Sequence, residues 1–188
     1  MRKWNDARLS LFEGHANVKN KETPMKVTAL TVLSLLIATS AYAAEKPSQS
    51  FLKKAIQGNY AEVEMGKLAQ QNGQSDNVKN FGQMLQADHA AANEKAIDAA
   101  KSMGVTPPDG PNAKQKADYE KMSKVSGPPF DRDFATHMVA DHQKDIAEYK
   151  KASKSADAAG EYAKGNLSVL QKHLETAKSL ASKKTSSR

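Results

Sequence analysis

Apolar residues recur at helical spacing from residue 50 to residue 182, and polar or glycine breaks divide them into four long stretches. The first, 50–72, places Phe51, Ala55, Gly58, Glu62, Met65 and Ala69 on one face, flanked by Leu52, Ile56, Val63 and Gly66, and stops at Gly73. The second follows Ser75, a good N-cap, and ends at Met103 with Gly104 beyond it. Its stripe is Val78, Phe81, Leu85, His89, Ala92, Ala96, Ala99 and Met103. The third, 129–153, aligns Ala135, Met138, Val139, His142, Ile146 and Tyr149. The fourth, 158–182, aligns Ala163, Leu167, Leu170, His173, Leu174, Ala177 and Leu180.

Between the second and third stretches, Pro107, Pro108, Gly110 and Pro111 forbid one continuous helix. Asn112 and Gln115 can cap a short helix over 113–125, ended by Gly127. Four long helices, two short turns and one long connection predict an all-α four-helix bundle. The long crossover carries a short extra helix and leaves the second and third long helices parallel. Gly58 and Gly66 each cost about 1 kcal/mol of helix propensity relative to Ala, which predicts close helix contact at those positions.

One skeleton occurs twice in this pattern. Phe81, Leu85, Ala87, Asp88 and His89 return 53 residues later as Phe134, Met138, Ala140, Asp141 and His142. Each Phe lies two turns above its His on the same face, so each imidazole falls on an apolar stripe. Glu62, His89 and His142 sit near the midpoints of their helices, and His173 about one turn past its own. All four helices therefore bring an inward polar group to about the same depth. The functional reading is a metal site built from Glu62, His89, His142 and His173, with Asp88 and Asp141 as further ligands or as carboxylates that orient the imidazoles. Such donors suit Zn, Cu, Fe, Ni or Mn. The alternative is a hydrogen-bonded polar cluster without a metal, in which each His donates to a carboxylate or carbonyl. His137 is predicted near the surface, and Met65 and Met138 are core residues one turn from Glu62 and His142.

Composition narrows the classes. The chain has no Cys, which removes disulfides, thiolate metal sites and a lipidated N-terminal Cys. Its formal charge of +7 is concentrated at the ends; residues 44–182 hold 19 Lys/Arg against 18 Asp/Glu, with no basic stripe for nucleic acid. No Ser-His-Asp arrangement or glycine-rich phosphate loop is legible, so the reading leans away from an enzyme. Lys26, the uncharged run from Val27 to Ala38 and Ala41-Tyr42-Ala43 predict a secretory signal peptide over 25–43. Residues 1–24 then read as an upstream extension of the reading frame, 44–182 as the bundle domain and 183–188 as a disordered tail. A periplasmic or secreted protein of a bacterial cell envelope is expected, with no transmembrane span in the mature chain.

Phe51, Ala61-Glu62-Val63-Glu64-Met65-Gly66-Lys67-Leu68-Ala69, Val78-Lys79-Asn80-Phe81, Asp88-His89, Gly104-Val105, Phe130-Asp131, Met138-Val139, Asp141-His142 and Leu170-Gln171-Lys172-His173-Leu174 resemble domain of unknown function family 4142. The resemblance covers residues 50–181. It implies a secreted bacterial protein of the ferritin-like superfamily, often labelled an outer membrane protein, with no established activity. A Glu-x-x-His pair is absent: Asp-His neighbours diverge by about 100° on a helix, so a carboxylate-bridged di-iron centre is not expected. The chain also lacks the alternating β segments of an outer-membrane barrel. Two functions follow as expectations. One is an exported metal-binding bundle; the other is a non-catalytic envelope or stress-associated module, with a protein partner or a second copy of itself.

Overall fold

The computed structural model describes residues 46–182. The expectations for 1–24, the signal peptide 25–43, a mature start at Ala44 and the tail 183–188 lie outside the described residues. Those described form five helices: α1 (Pro47–Asn72), α2 (Asp76–Ser102), α3 (Ala113–Met122), α4 (Gly127–Ala152) and α5 (Ala158–Ser182). The all-helical prediction holds for them, and none of the five helices is long and apolar enough to cross a membrane.

Boundaries moved where proline stands in a first turn. α1 begins at Pro47, three residues before the predicted start, because the Gln49 side chain accepts from the Lys46 amide at 3.1 Å and Pro47 lacks only an N–H that has no helical partner there. α4 likewise begins at Gly127 with two prolines behind it, after an extended Ser126. Gly127 has φ +66°, a left-handed value that favours glycine. α3 ends at Met122 rather than at 125. At the end of α2 the expected glycine does its work: Gly104 has φ +69°, its N–H donates to Lys101 O, and Val105 N–H reaches back to Ala100 O at 2.9 Å.

Short turns make α1–α2 and α4–α5 two antiparallel hairpins. Asp131, in the first turns of α4, ties them together at one end. Its carboxylate accepts from the Gln74 amide at 2.8 Å and the Ser75 amide at 2.9 Å, at the start of α2. α2 and α4 thus begin at the same end and run parallel, as the long crossover predicted. The repeated skeleton stays in register between them: Phe81 and Phe134 meet edge to face at 6.0 Å, and His89 and His142 lie 5.9 Å apart.

The core is divided in two. Phe51, Leu52 and Ile56 of α1 pack with Ala96 and Ala100 of α2, Ile146 and Tyr149 of α4, and Tyr162 and Leu170 of α5. Nearer the Asp131 end, Met65 and Leu68 pack with Phe81, Leu85, Phe130, Phe134 and Met138. Buried polar residues lie between them: Asn59, Glu62, His89, Asn93, His142 and His173. In the lower half of the α2 stripe, predicted as Ala92, Ala96, Ala99 and Met103, Ala96 is buried as expected, but Asn93 and Ala100 are buried in place of the others. Alanine occurs on every face of that segment, so its apolar pattern does not fix the rotation.

The close approach falls at one of the two predicted glycines and at one not foreseen. A Cβ on Gly66 would stand 2.5 Å from Gly82 O, and one on Gly82 would stand 2.6 Å from Gly66 O, backbone against backbone. Gly58 is open, its nearest neighbour a flexible Gln115 side chain at 4.0 Å. Gly66→Ala should therefore lower stability by about 1 to 3 kcal/mol despite better helix propensity, because α1 and α2 must separate. Gly58→Ala should be neutral or stabilising by up to about 1 kcal/mol. Thermal melts of the two variants test the crossing, and equal effects would contradict it.

Candidate metal centre

Three imidazoles meet in the polar layer, one each from α2, α4 and α5. His89, His142 and His173 are 4%, 1% and 0% exposed, and each offers a nitrogen within 4.8 Å of the others. Their ring centroids are 5.3 to 5.9 Å apart. Apolar stripes carry them inward: His89 follows Leu85 and His142 follows Met138 by one turn, while His173 stands edge-on to Phe81 at 6.1 Å.

The hydrogen bonds decide which nitrogen of each ring is free. His142 Nδ1 lies 3.0 Å from Met138 O, which can only accept, so Nδ1 carries the proton and Nε2 a lone pair. His89 Nδ1 donates to Asn59 Oδ1 at 3.0 Å, leaving its buried Nε2 with no partner. His173 Nε2 donates to Asp88 Oδ2 at 2.8 Å, and its Nδ1 faces His142 Nε2 at 3.3 Å. With all three rings neutral, two lone pairs confront each other and a third is unpaired. An added proton on His173 or a cation would relieve that arrangement.

Burial opposes the added proton. It holds His89 well below the usual imidazole range, with the neighbouring His142 and His173 contributing in the same direction. Burial also brings His142 down to about 4, and His173 adds to that effect. His173 is lowered by burial too, with Asp88 acting against it. Near neutral pH the three nitrogens are therefore Lewis bases, and each is oriented through a hydrogen bond on the far side of its ring, as is usual for metal-bound histidine.

The predicted carboxylates divide. Asp88 is half-exposed and serves His173 from outside the cluster. Glu62 and Asp141 are not among the groups that converge with the imidazoles. They face each other instead on the α3 side, where burial, followed by the charges of Asp141 and Asp145, pushes the Glu62 carboxyl well above its usual range. Burial and then Asp141 push Asp145 up to about 7. His137 lies partly buried beside them. Met65 and Met138 pack in the apolar cluster, and the Met138 carbonyl is what holds His142.

Sequence reasoning missed the other arm of the network. Asn59 Nδ2 donates to the Tyr162 hydroxyl at 3.0 Å, and Tyr162 and Tyr149 share a hydroxyl contact of 3.1 Å. The available signal was Asn59 itself, an amide one turn before Glu62 on the inward side of α1.

Residues 35–180 match the family model described as Domain of unknown function (DUF4142). No curated protein and no solved structure gives a significant match.

These ionisations make a prediction for the metal-free protein. His142, lowered from 6.5 to about 4, stabilises the fold above 6.5, and that contribution is lost as pH falls toward 4, because the unfolded chain takes up the proton first. Asp145, raised from 3.8 to about 7, works the other way: the folded chain holds its proton across that window, so stability falls as pH rises through it. The two oppose each other between about pH 4 and 6.5. Asp145→Asn should remove the second contribution. The variant should gain stability from pH 4.5 to 6.5 more steeply than the wild type, by at most about 1.4 kcal/mol per pH unit for one proton. Parallel pH profiles in urea melts would show that Asp145 ionises freely.

Proposed function

The chain belongs to the DUF4142 family, and on the strength of its histidine cluster we propose that it is an exported helical-bundle protein that binds a divalent transition metal through His89, His142 and His173. The observation that carries this reading is the convergence of three lone-pair nitrogens, each fixed by a hydrogen bond to Asn59, Asp88 or Met138 on the opposite side of its ring. Three neutral imidazoles without a converging carboxylate favour Zn or Cu over Mn. A three-histidine set leaves a coordination position for water or a small ligand, as in open zinc sites. Asp88 would orient His173 and supply negative charge beside the ion.

Export is supported by Lys26, the apolar run after it and Ala41-Tyr42-Ala43. A ferritin-like four-helix arrangement is supported by two antiparallel hairpins joined by one long crossover, with α2 and α4 parallel. The metal ligands proposed for this chain differ from a di-iron carboxylate set, so no oxidase chemistry is proposed with the fold.

The 3.3 Å contact between His142 and His173 also supports a second reading. With one added proton, Asp88, His173 and His142 form a continuous hydrogen-bonded chain. The cluster would then only fix helix register in an envelope module that acts through a protein partner or a second copy of itself.

Metal titration separates the two. The metal reading expects Zn or Cu added to stripped protein to raise the melting temperature, with about 2.7 kcal/mol gained at a hundredfold excess over the dissociation constant. His89→Ala, His142→Ala and His173→Ala should each abolish most binding, and Asp88→Asn should weaken it about 10- to 100-fold. Affinity should fall as the pH is lowered, because each ligand nitrogen must be unprotonated. Melts unchanged by Zn, Cu, Ni, Fe(II) and Mn would leave the register-fixing network as the function of the cluster.

A further inference from the structure

On the other side of α4 from His173, the seam between α1 and α4 is held open. A cavity of about 320 Å³ lies there, its charged and titratable lining made of Glu62, His137, Asp141 and Lys144 and, from α3, Lys114 and Asp118. Its inner wall is acidic. Glu62 is only 3% exposed, and no hydrogen-bond donor reaches its buried Oε2. Its neighbours Asp141, near enough to share a proton with the Glu62 carboxyl, and Asp145 carry the same sign. A buried carboxylate left in this state is costly, and a proton, an ammonium or a metal cation can relieve it.

Among the described residues no ammonium does so. Lys114 extends from α3 and feels the Asp141 charge but pairs with Asp118, and Lys144 is exposed and forms no ion pair with Glu62 or Asp141. α3 has no fully buried residue; Tyr119 and Met122 pack part-buried against the phenylalanine-rich cluster, and Asn112, Gln115 and Asp118 line the cavity.

We propose that Glu62 and Asp141 form a second cation site, separate from the histidine cluster, which takes a hydrated divalent ion of the magnesium or manganese class between α1, α3 and α4. The donor chemistry is that of a hard ion: carboxylate and amide oxygens rather than imidazoles. Two carboxylates suffice for such an ion, because it keeps several of its own waters, and the cavity has room for them. The unpartnered Glu62 oxygen supplies the innermost contact. Asp141 holds the other side, and Asp118 and Gln115 line the space left for the ion's water shell. The site does not depend on a metal at the histidines, and it would add a tie through the ion to the part-buried Tyr119 and Met122 contacts that hold α3.

The probe is Mn²⁺ added to the purified full chain, with free ion read by electron paramagnetic resonance and folding checked by circular dichroism. The wild type should hold one Mn²⁺ per chain. Glu62→Gln and Asp141→Asn should each weaken that binding at least about tenfold, and His89→Ala should retain it. If Glu62→Gln does not fold, Asp141→Asn gives the reading. The proposal is overturned by no binding up to about 1 mM Mn²⁺, by equal binding in the wild type and the folded carboxamide variants, or by binding lost in folded His89→Ala. Loss in His89→Ala would assign the Mn²⁺ to the histidine cluster, so failure here is distinct from failure of the three-histidine reading.

Discussion

Among the described residues six polar side chains are buried at the middle of this bundle, and hydrogen bonds satisfy them only in part. An imidazole can donate through one nitrogen only while neutral, and each of the three spends that donor on a fixed acceptor: an amide oxygen, a backbone carbonyl and a carboxylate. The remaining nitrogens of His142 and His173 then face each other at 3.3 Å, and that of His89 is buried without a partner. Desolvation keeps the rings neutral, so the protein stores three lone pairs where a packed core would have hydrocarbon. Neutral rings leave that arrangement unrelieved, and it is the observation on which the proposed metal site rests.

The packing around the layer explains how such a cost is carried. Two apolar clusters bracket it, one rich in phenylalanine and the other built on Phe51, Tyr149 and Tyr162. The Gly66–Gly82 crossing brings α1 and α2 into backbone contact, and Asp131 joins the two hairpins at the end where α2 and α4 begin. These contacts set the helices rigidly enough for ring nitrogens on three different elements to meet. The tyrosine pair extends the constraint further, since Tyr162 holds Asn59, and Asn59 in turn sets the tautomer of His89.

Much of this was legible in the residues. The interruption of apolar stripes by His89, His142 and His173 at about the same depth located the layer, and the long crossover anticipated the parallel run of α2 and α4. What could not be read was rotation. In the alanine-rich half of α2, the hydrophobic pattern is the same on several faces, so Asn93 was passed over. Glu62 was correctly placed inside, but its depth was shared with the histidines while its azimuth was not; the turn of α1 directs it toward Asp141 and α3. Depth follows from counting residues. Azimuth depends on which neighbour each helix packs against, and on a glycine contact such as Gly82 that has no hydrophobic signature.

The central claim is the protonation pattern of the three rings, and nitrogen-15 NMR of the histidine side chains in metal-free protein at neutral pH tests it most directly. The account predicts three neutral imidazoles, with His89 and His142 protonated at Nδ1 and His173 at Nε2. Stoichiometric Zn should then move the resonances of His89 Nε2, His142 Nε2 and His173 Nδ1. A doubly protonated His173 at neutral pH, with ring nitrogens that do not respond to Zn, would contradict it.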